Sequence, residues 1–141
     1  MTRRNERGSA HLEVVLIAPI MILVLGWVLT WSRITIAQDA VTSAAGAAAR
    51  AAALERTPVK ATAAGNAVAQ ATLTSRDLKC SSTTVTINTA GFHTPVGQKS
   101  SVSATVTCVV ALGDLSLPSR GTKTITRTAA VPLDTYRGRG R

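Results

Sequence analysis

The hydrophobic pattern changes period along the chain, and each change predicts a different element. From Val14 to Trp31 no residue is charged, an apolar run of 18 residues. As a helix at 1.5 Å per residue the run measures about 27 Å, close to the roughly 30 Å of a bilayer hydrocarbon core. From Arg33 to Arg56 strong helix formers continue without proline. Ile34, Ala37, Val41, Ala44, Ala45, Ala48, Ala52 and Glu55 recur there at spacings of three and four, largely one face. Thr57-Pro58 marks a restart, with threonine suited to the N-cap and proline to the first helical position. The second helix should run to about Thr74 and bury Ala61, Ala64, Val68, Ala71 and Leu78, leaving Asn66 and Gln70 in water.

The period then falls to two. Thr83–Thr89 alternates with Val85 and Ile87 on one side, and Ser101–Val110 with Val102, Ala104, Val106 and Cys108 together. Thr122–Val131 alternates more weakly, with Ile125 and Val131 on one side beside Arg127. Gly91, Pro95 and Gly97 punctuate the first connection, and Gly113, Pro118 and Gly121 the second, so three antiparallel strands are expected. The fold class is α+β: a long N-terminal transmembrane helix, and a short second helix packed on a three-stranded antiparallel sheet. The chain divides into a basic leader (1–8), a membrane helix (9–33), Ala-rich helices (34–78), a small sheet region (79–133) and a basic tail (134–141).

Composition sharpens this picture at three points. Aromatic residues number four in 141, and two of them, Trp27 and Trp31, lie in the apolar run. A head built from alanine and threonine buries little area per side chain, so close helix packing, a crosslink or neighbouring subunits must supply stability. Cys80 and Cys108 are isolated, with no CxxC spacing for zinc, and outside the cytoplasm they default to one disulfide. Its loop of 29 residues, counted inclusively, would contribute roughly 3.6 kcal/mol in the chain-entropy model. Direct apposition of the cysteines in a ladder would, by side-chain parity, put Thr84 instead of Val85 on the same face as Val106. Cys80 is therefore expected before the strand, or beside a bulge. The formal charge is +9, with basic residues scattered except at the two ends, and neither aromatic interleaving nor a nucleic-acid module accompanies them. Nucleic acid is not an expected partner. The Arg137–Arg141 tail reads as solvated chain, with anionic envelope polymers as an alternative contact.

The apolar run reads as an uncleaved span, since no small-x-small site follows it. Trp27 and Trp31 suit an outer interfacial belt, and Pro19 should kink the helix. Arg3, Arg4 and Arg7 precede the run and only Arg33 closely follows, which puts the N-terminus in the cytoplasm and the head outside. Glu13 stands at the mouth of this helix, where a carboxylate becomes costly with depth. It either marks the interface and complements the helix dipole, or pairs with a new α-amine created by a cut after Gly8. Such an amine on Ser9, with an ordinary pKa of about 7.7–8.0, is largely cationic at neutral pH.

The stretch Arg7-Gly8-Ser9-Ala10-His11-Leu12-Glu13 before an apolar run resembles a type IV prepilin leader, with glycine at the cut and glutamate five residues on. With Pro19 and the Ala-rich Ala47–Ala53 segment, it resembles TadE-like minor pilins of the tight-adherence (Flp) system. Val106-Thr107-Cys108 and Leu133-Asp134-Thr135-Tyr136-Arg137 are similar too, whereas Val14 stands where many Flp-type proteins carry an aromatic. The resemblance implies a type IV pilin-like fold and a non-enzymatic minor pilin or pseudopilin. It also implies processing by a prepilin peptidase at Gly8, Ser9 and Glu13. The partners would be the membrane, the major Flp-type pilin, other minor pilins and the assembly machinery, with a role in surface adhesion. The site residues are then the processing set, the Cys80–Cys108 bridge, and the span marked by Val14, Pro19, Trp27 and Trp31.

The alternative is a single-pass anchored binding module whose leader stays uncut. A secreted enzyme is disfavoured. His11 and His93 lack a second histidine or carboxylate at ligand spacing, and neither a nucleophile elbow nor a phosphate-cradling glycine loop occurs. No cofactor or metal is expected. The Ala-rich helix face fits packing on its own sheet or tight contact with neighbouring helices.

Overall fold

The computed structural model describes residues 7–113 and 121–136. Contacts divide the chain into two units, Met1–Ile34 and Thr35–Arg141. Helix α1 runs Arg7–Leu54, helix α2 Pro58–Ser75, and strands β1, β2 and β3 run Ser82–Asn88, Ser101–Ala111 and Thr122–Pro132, with a 3-10 turn at Ala90–His93. Arg3, Arg4, Pro118 and the arginines of the tail lie outside the described residues.

In the first unit α1 is continuous across Pro19. Every described side chain from Val14 to Leu29 is exposed, as is Trp31. A helix whose described side chains are apolar and exposed all round needs an apolar surrounding. It is the one helix among the described residues long and apolar enough to cross a membrane.

The second unit is the head. Its sheet is antiparallel in the order β1-β2-β3, as the turn signals lead one to expect. Val85 pairs with Val106 and Ile87 with Ala104, while Val102 pairs with Val131 and Cys108 with Ile125. The inner row of the central strand, Val102 to Val110 at every second residue, is almost wholly buried. Against this sheet lies the small-residue seam of α1. Ala37, Val41, Ala44, Ala45, Ala48 and Ala52 are each at most 1% exposed, the face that the three-and-four spacing singles out. Ala40 and Ala49 are buried as well, which widens the stripe. Methyl-sized side chains let the helix backbone approach the sheet, so packing density replaces side-chain bulk as the source of contact.

Helix α2 begins as its sequence dictates. Thr57 is extended (φ −125°, ψ 146°), accepts the Lys60 N–H on its hydroxyl, and is followed by Pro58. It ends on paired bonds from the Leu78 N–H to the Leu73 carbonyl and from the Asp77 N–H to the Thr74 carbonyl. Asp77 adopts φ 51° there, in a C-terminal motif that glycine usually serves. The buried face differs from expectation. Ala61, Gly65, Ala69 and Leu73 are buried, whereas Ala64 and Val68 are only half-buried and Ala71 is exposed. Asn66, expected in water, is half-buried, and Gln70 is exposed. Gly65 decides this rotation. A Cβ there would stand 2.7 Å from Ile87 Cδ1 and 3.4 Å from the Ala48 carbonyl oxygen, so the helix turns its bare backbone to the tightest approach. Leu78, expected among the buried positions, lies beyond the end of the helix and is half-buried against the core.

At the end of the head where α1 meets α2, Phe92, Val102 and Leu133 cluster with Ala52 and Ala61. Two main-chain bonds tie down the segment after β3: Leu133 N–H to the Ser100 carbonyl, and Gly97 N–H to the Thr135 carbonyl. Gly91 permits the turn before β2, since a Cβ would collide with the Ser101 carbonyl oxygen.

Candidate functional site

Three regions carry the residues singled out by the sequence. The first is the start of α1. The backbone is helical from Arg7, so Gly8, Ser9, His11 and Glu13 all lie within the helix, with their side chains outside the described residues. A peptidase acting between Gly8 and Ser9 would have to open that first turn. Pro19 has no N–H, which leaves the Val15 carbonyl without its helical partner. Trp27 and Trp31, one turn apart, hold their rings 5.8 Å between centroids at 59°, a tilted pairing favoured by the ring quadrupoles. Both are exposed, so an indole pair with an apolar body and N–H donors faces the surroundings, as an interfacial anchor requires.

The second region is the disulfide. Cys80 and Cys108 are bonded across a separation of 28 residues, with Cα atoms 5.5 Å apart. Parity is resolved by the first of the two expected routes: Cys80 lies before β1, and the ladder partner of Cys108 is Thr83. The Ser81 N–H donates to the Val109 carbonyl, which keeps the approach of Cys80 in line with the ladder. The bridge ties the α2–β1 connection to the central strand. Cys108 is wholly buried and Cys80 half-buried. Beside it is a shallow open depression of about 280 Å³ lined by Gln70, Leu73, Thr74, Leu78, Cys80 and Thr83. That lining offers hydroxyls, an amide and the bridge, with no carboxylate or imidazole to move a proton. Among the described residues no group of three or more His, Cys, Asp or Glu could hold a metal ion. His93 is exposed in the 3-10 turn.

The third region was not singled out by the sequence. On the outer face of the sheet, the ladder aligns Thr84–Thr107–Thr126 and Thr86–Thr105–Thr128 as two rows of three threonines. Flanking rows are Ser82–Val109–Thr124 and Asn88–Ser103–Ala130. The Thr105 and Thr128 hydroxyls are 2.9 Å apart, and those of Thr107 and Thr126 3.0 Å apart. The alternation signals strands with polar outer positions; that the threonines fall in register needs the pairing itself. On the opposite face Arg127 reaches over the edge of β3 to donate to Gln38 Oε1 at 3.1 Å, linking the last strand to α1.

In comparison with known proteins, residues 8–50 fit the model of the TadE-like protein family. No curated protein and no solved structure matches the chain.

Proposed function

From a chain whose residues 8–50 are TadE-like, which associates it with the tight-adherence pilus system, we propose a specific role. The protein is a non-enzymatic minor pilin or pseudopilin, stored in the membrane by α1 and drawn into the pilus after processing. The observation that carries this reading is where the match begins. It starts at Gly8, the residue before the expected cut, and spans Glu13, Pro19 and most of the alanine seam.

In this reading a prepilin peptidase hydrolyses the Gly8–Ser9 bond in the cytoplasm and frees the Ser9 α-amine. Glu13, about one helical turn away, or the same residue of a neighbouring subunit, pairs with that ammonium. The apolar run from Val14 to Trp31 first lies in lipid and then packs on helices of the major Flp-type pilin and other minor pilins. The disulfide-tied head stays outside the cytoplasm, where it contributes to surface adhesion. The lone charge pair matters because an ammonium among apolar helices without a partner is costly.

Mass spectrometry of the N-terminus of membrane-extracted protein tests the proposal. Cells with an active prepilin peptidase should yield a chain beginning at Ser9, and Gly8→Leu should leave the precursor uncut. A wild-type chain that still begins at Met1 or Thr2 in those cells refutes processing and favours the anchored binding module.

A further inference from the structure

We propose that Cys80 is the exchange sulfur of the bridge. External thiols and disulfides reach the pair from the depression beside Cys80 and bond to Cys80 alone, while Cys108 reacts only with Cys80. This division of roles belongs to the head itself and holds whether or not the chain enters a pilus.

The two half-cystines sit in opposite surroundings. Cys108 is held in the middle of the central strand, with Thr83 as its ladder partner on one side and Ile125 on the other. None of its surface meets solvent, and Val106 and Val110 continue its buried row. Cys80 belongs to neither a helix nor a strand, and nor do Leu78 and Lys79 before it. It keeps part of its surface and lines the open depression of about 280 Å³.

Reactivity follows from access. In thiol–disulfide exchange a thiolate attacks one sulfur of a disulfide and the other sulfur leaves, so the outcome depends on which sulfur can be reached. The displacement is in line, and the attacker must come from the side away from the leaving sulfur. For Cys108 no side is open unless the core is. For Cys80 the approach away from Cys108 is on the solvent side of the bridge. The rest of the depression, Gln70, Leu73, Thr74, Leu78 and Thr83, carries no charge, so it admits a reagent by size more than by sign.

Closing the bridge then takes two steps. The Cys80 thiolate attacks one sulfur of a donor disulfide, the donor's other sulfur leaves as a thiolate, and a mixed disulfide remains on Cys80. The Cys108 thiolate attacks the Cys80 Sγ and expels the donor's remaining sulfur. The cysteine pair gives up two protons and two electrons, and the donor disulfide ends as two thiols. Opening reverses the order. An external thiolate bonds to the Cys80 Sγ, and the Cys108 Sγ leaves as a thiolate into its apolar row, where an unpaired charge is costly. The bridge of the folded head is therefore slow to open, and when it opens the adduct is on Cys80.

The test uses the full-length protein in detergent micelles with glutathione. The reaction is quenched with acid, remaining thiols are alkylated, and peptide mapping shows which cysteine carries glutathione. In the folded protein the adduct should favour Cys80 over Cys108 by at least tenfold, and in urea that unfolds the head the two should be labelled about equally. Gln70→Trp, which fills the depression, should slow adduct formation at least fivefold, whereas Ala67→Trp, on an exposed position of α2 outside the depression, should not. A variant that failed to fold would react faster, so slowing cannot come from misfolding. Equal labelling of the folded protein, or an excess on Cys108, overturns the proposal. So does a preference for Cys80 that persists in urea, an undiminished rate in Gln70→Trp, equal slowing in Ala67→Trp, or a folded protein that forms no adduct.

Discussion

Replacing Gly65 by alanine tests whether α2 is held by steric fit and not by hydrophobicity. The new methyl would lie 2.7 Å from Ile87 Cδ1 and 3.0 Å from Ile87 Cγ1, against an optimal separation of about 3.5–4.0 Å for carbon atoms. Overpacking of this kind costs about 1–3 kcal/mol. The same change gains about 0.5–1 kcal/mol of helix propensity, so the net expected loss is about 1 kcal/mol. A net figure of that size has many explanations, and a double-mutant cycle removes them. Ile87→Val deletes the offending Cδ1 and alone costs about 0.5–1.5 kcal/mol. Combined with Gly65→Ala, it should recover about 1 kcal/mol, because the helix term is common to both arms and cancels. Pulse proteolysis of the full chain in detergent micelles, across a urea series, reads the stability of the head for all four proteins. Additivity within about 0.3–0.5 kcal/mol would refute the claim that Gly65 is required for the approach to Ile87.

The paired substitution Cys80→Ala with Cys108→Ala should cost about 2–5 kcal/mol, centred near the 3.6 kcal/mol of loop entropy, read by the same urea series; a loss below about 1 kcal/mol would show that the bridge is incidental. Glu13→Gln should leave membrane insertion intact, since the uncharged run suffices for a span, but lose co-purification with other pilus subunits. Even about 1.4 kcal/mol per contact is a tenfold change in association. A properly cleaved Glu13→Gln chain that co-assembles at wild-type level would assign Glu13 to the helix start alone.

The sequence makes the α1 seam legible because its small residues, Ala37 to Ala52, repeat at helical spacing over about four turns. The α2 seam is less legible for a physical reason. Ala61, Ala64, Val68 and Ala71 form as good an apolar row as Ala61, Gly65, Ala69 and Leu73, and a glycine counts for nothing on a hydrophobic scale. Its contribution is the absence of a Cβ, which becomes visible only when Ile87 is in place. Strand parity foretells that Cys80 lies before the strand or beside a bulge, whereas the alignment of threonines across three strands depends on register, which no single strand encodes. The Gly8–Glu13 motif is readable because its glycine and glutamate are separated by a fixed spacing.

The bond from Arg127 to Gln38 spans 89 residues of chain, and this has a consequence for the order in which the protein can be made. Contacts that close long loops form late, since their entropy must be met before they reward it. During synthesis α1 emerges first, yet its alanine seam has no complete sheet to meet until β3 follows. The β1–β2 pairing closes a much shorter loop, and the cysteines that lock it are separated by 28 residues. Oxidation can therefore fix that hairpin before the last strand arrives. The head is thus expected to mature from the middle outwards, with a locked hairpin first, and β3 and the docked helix afterwards. A seam made of alanine suits that wait, because small side chains present little sticky surface while they stand uncovered.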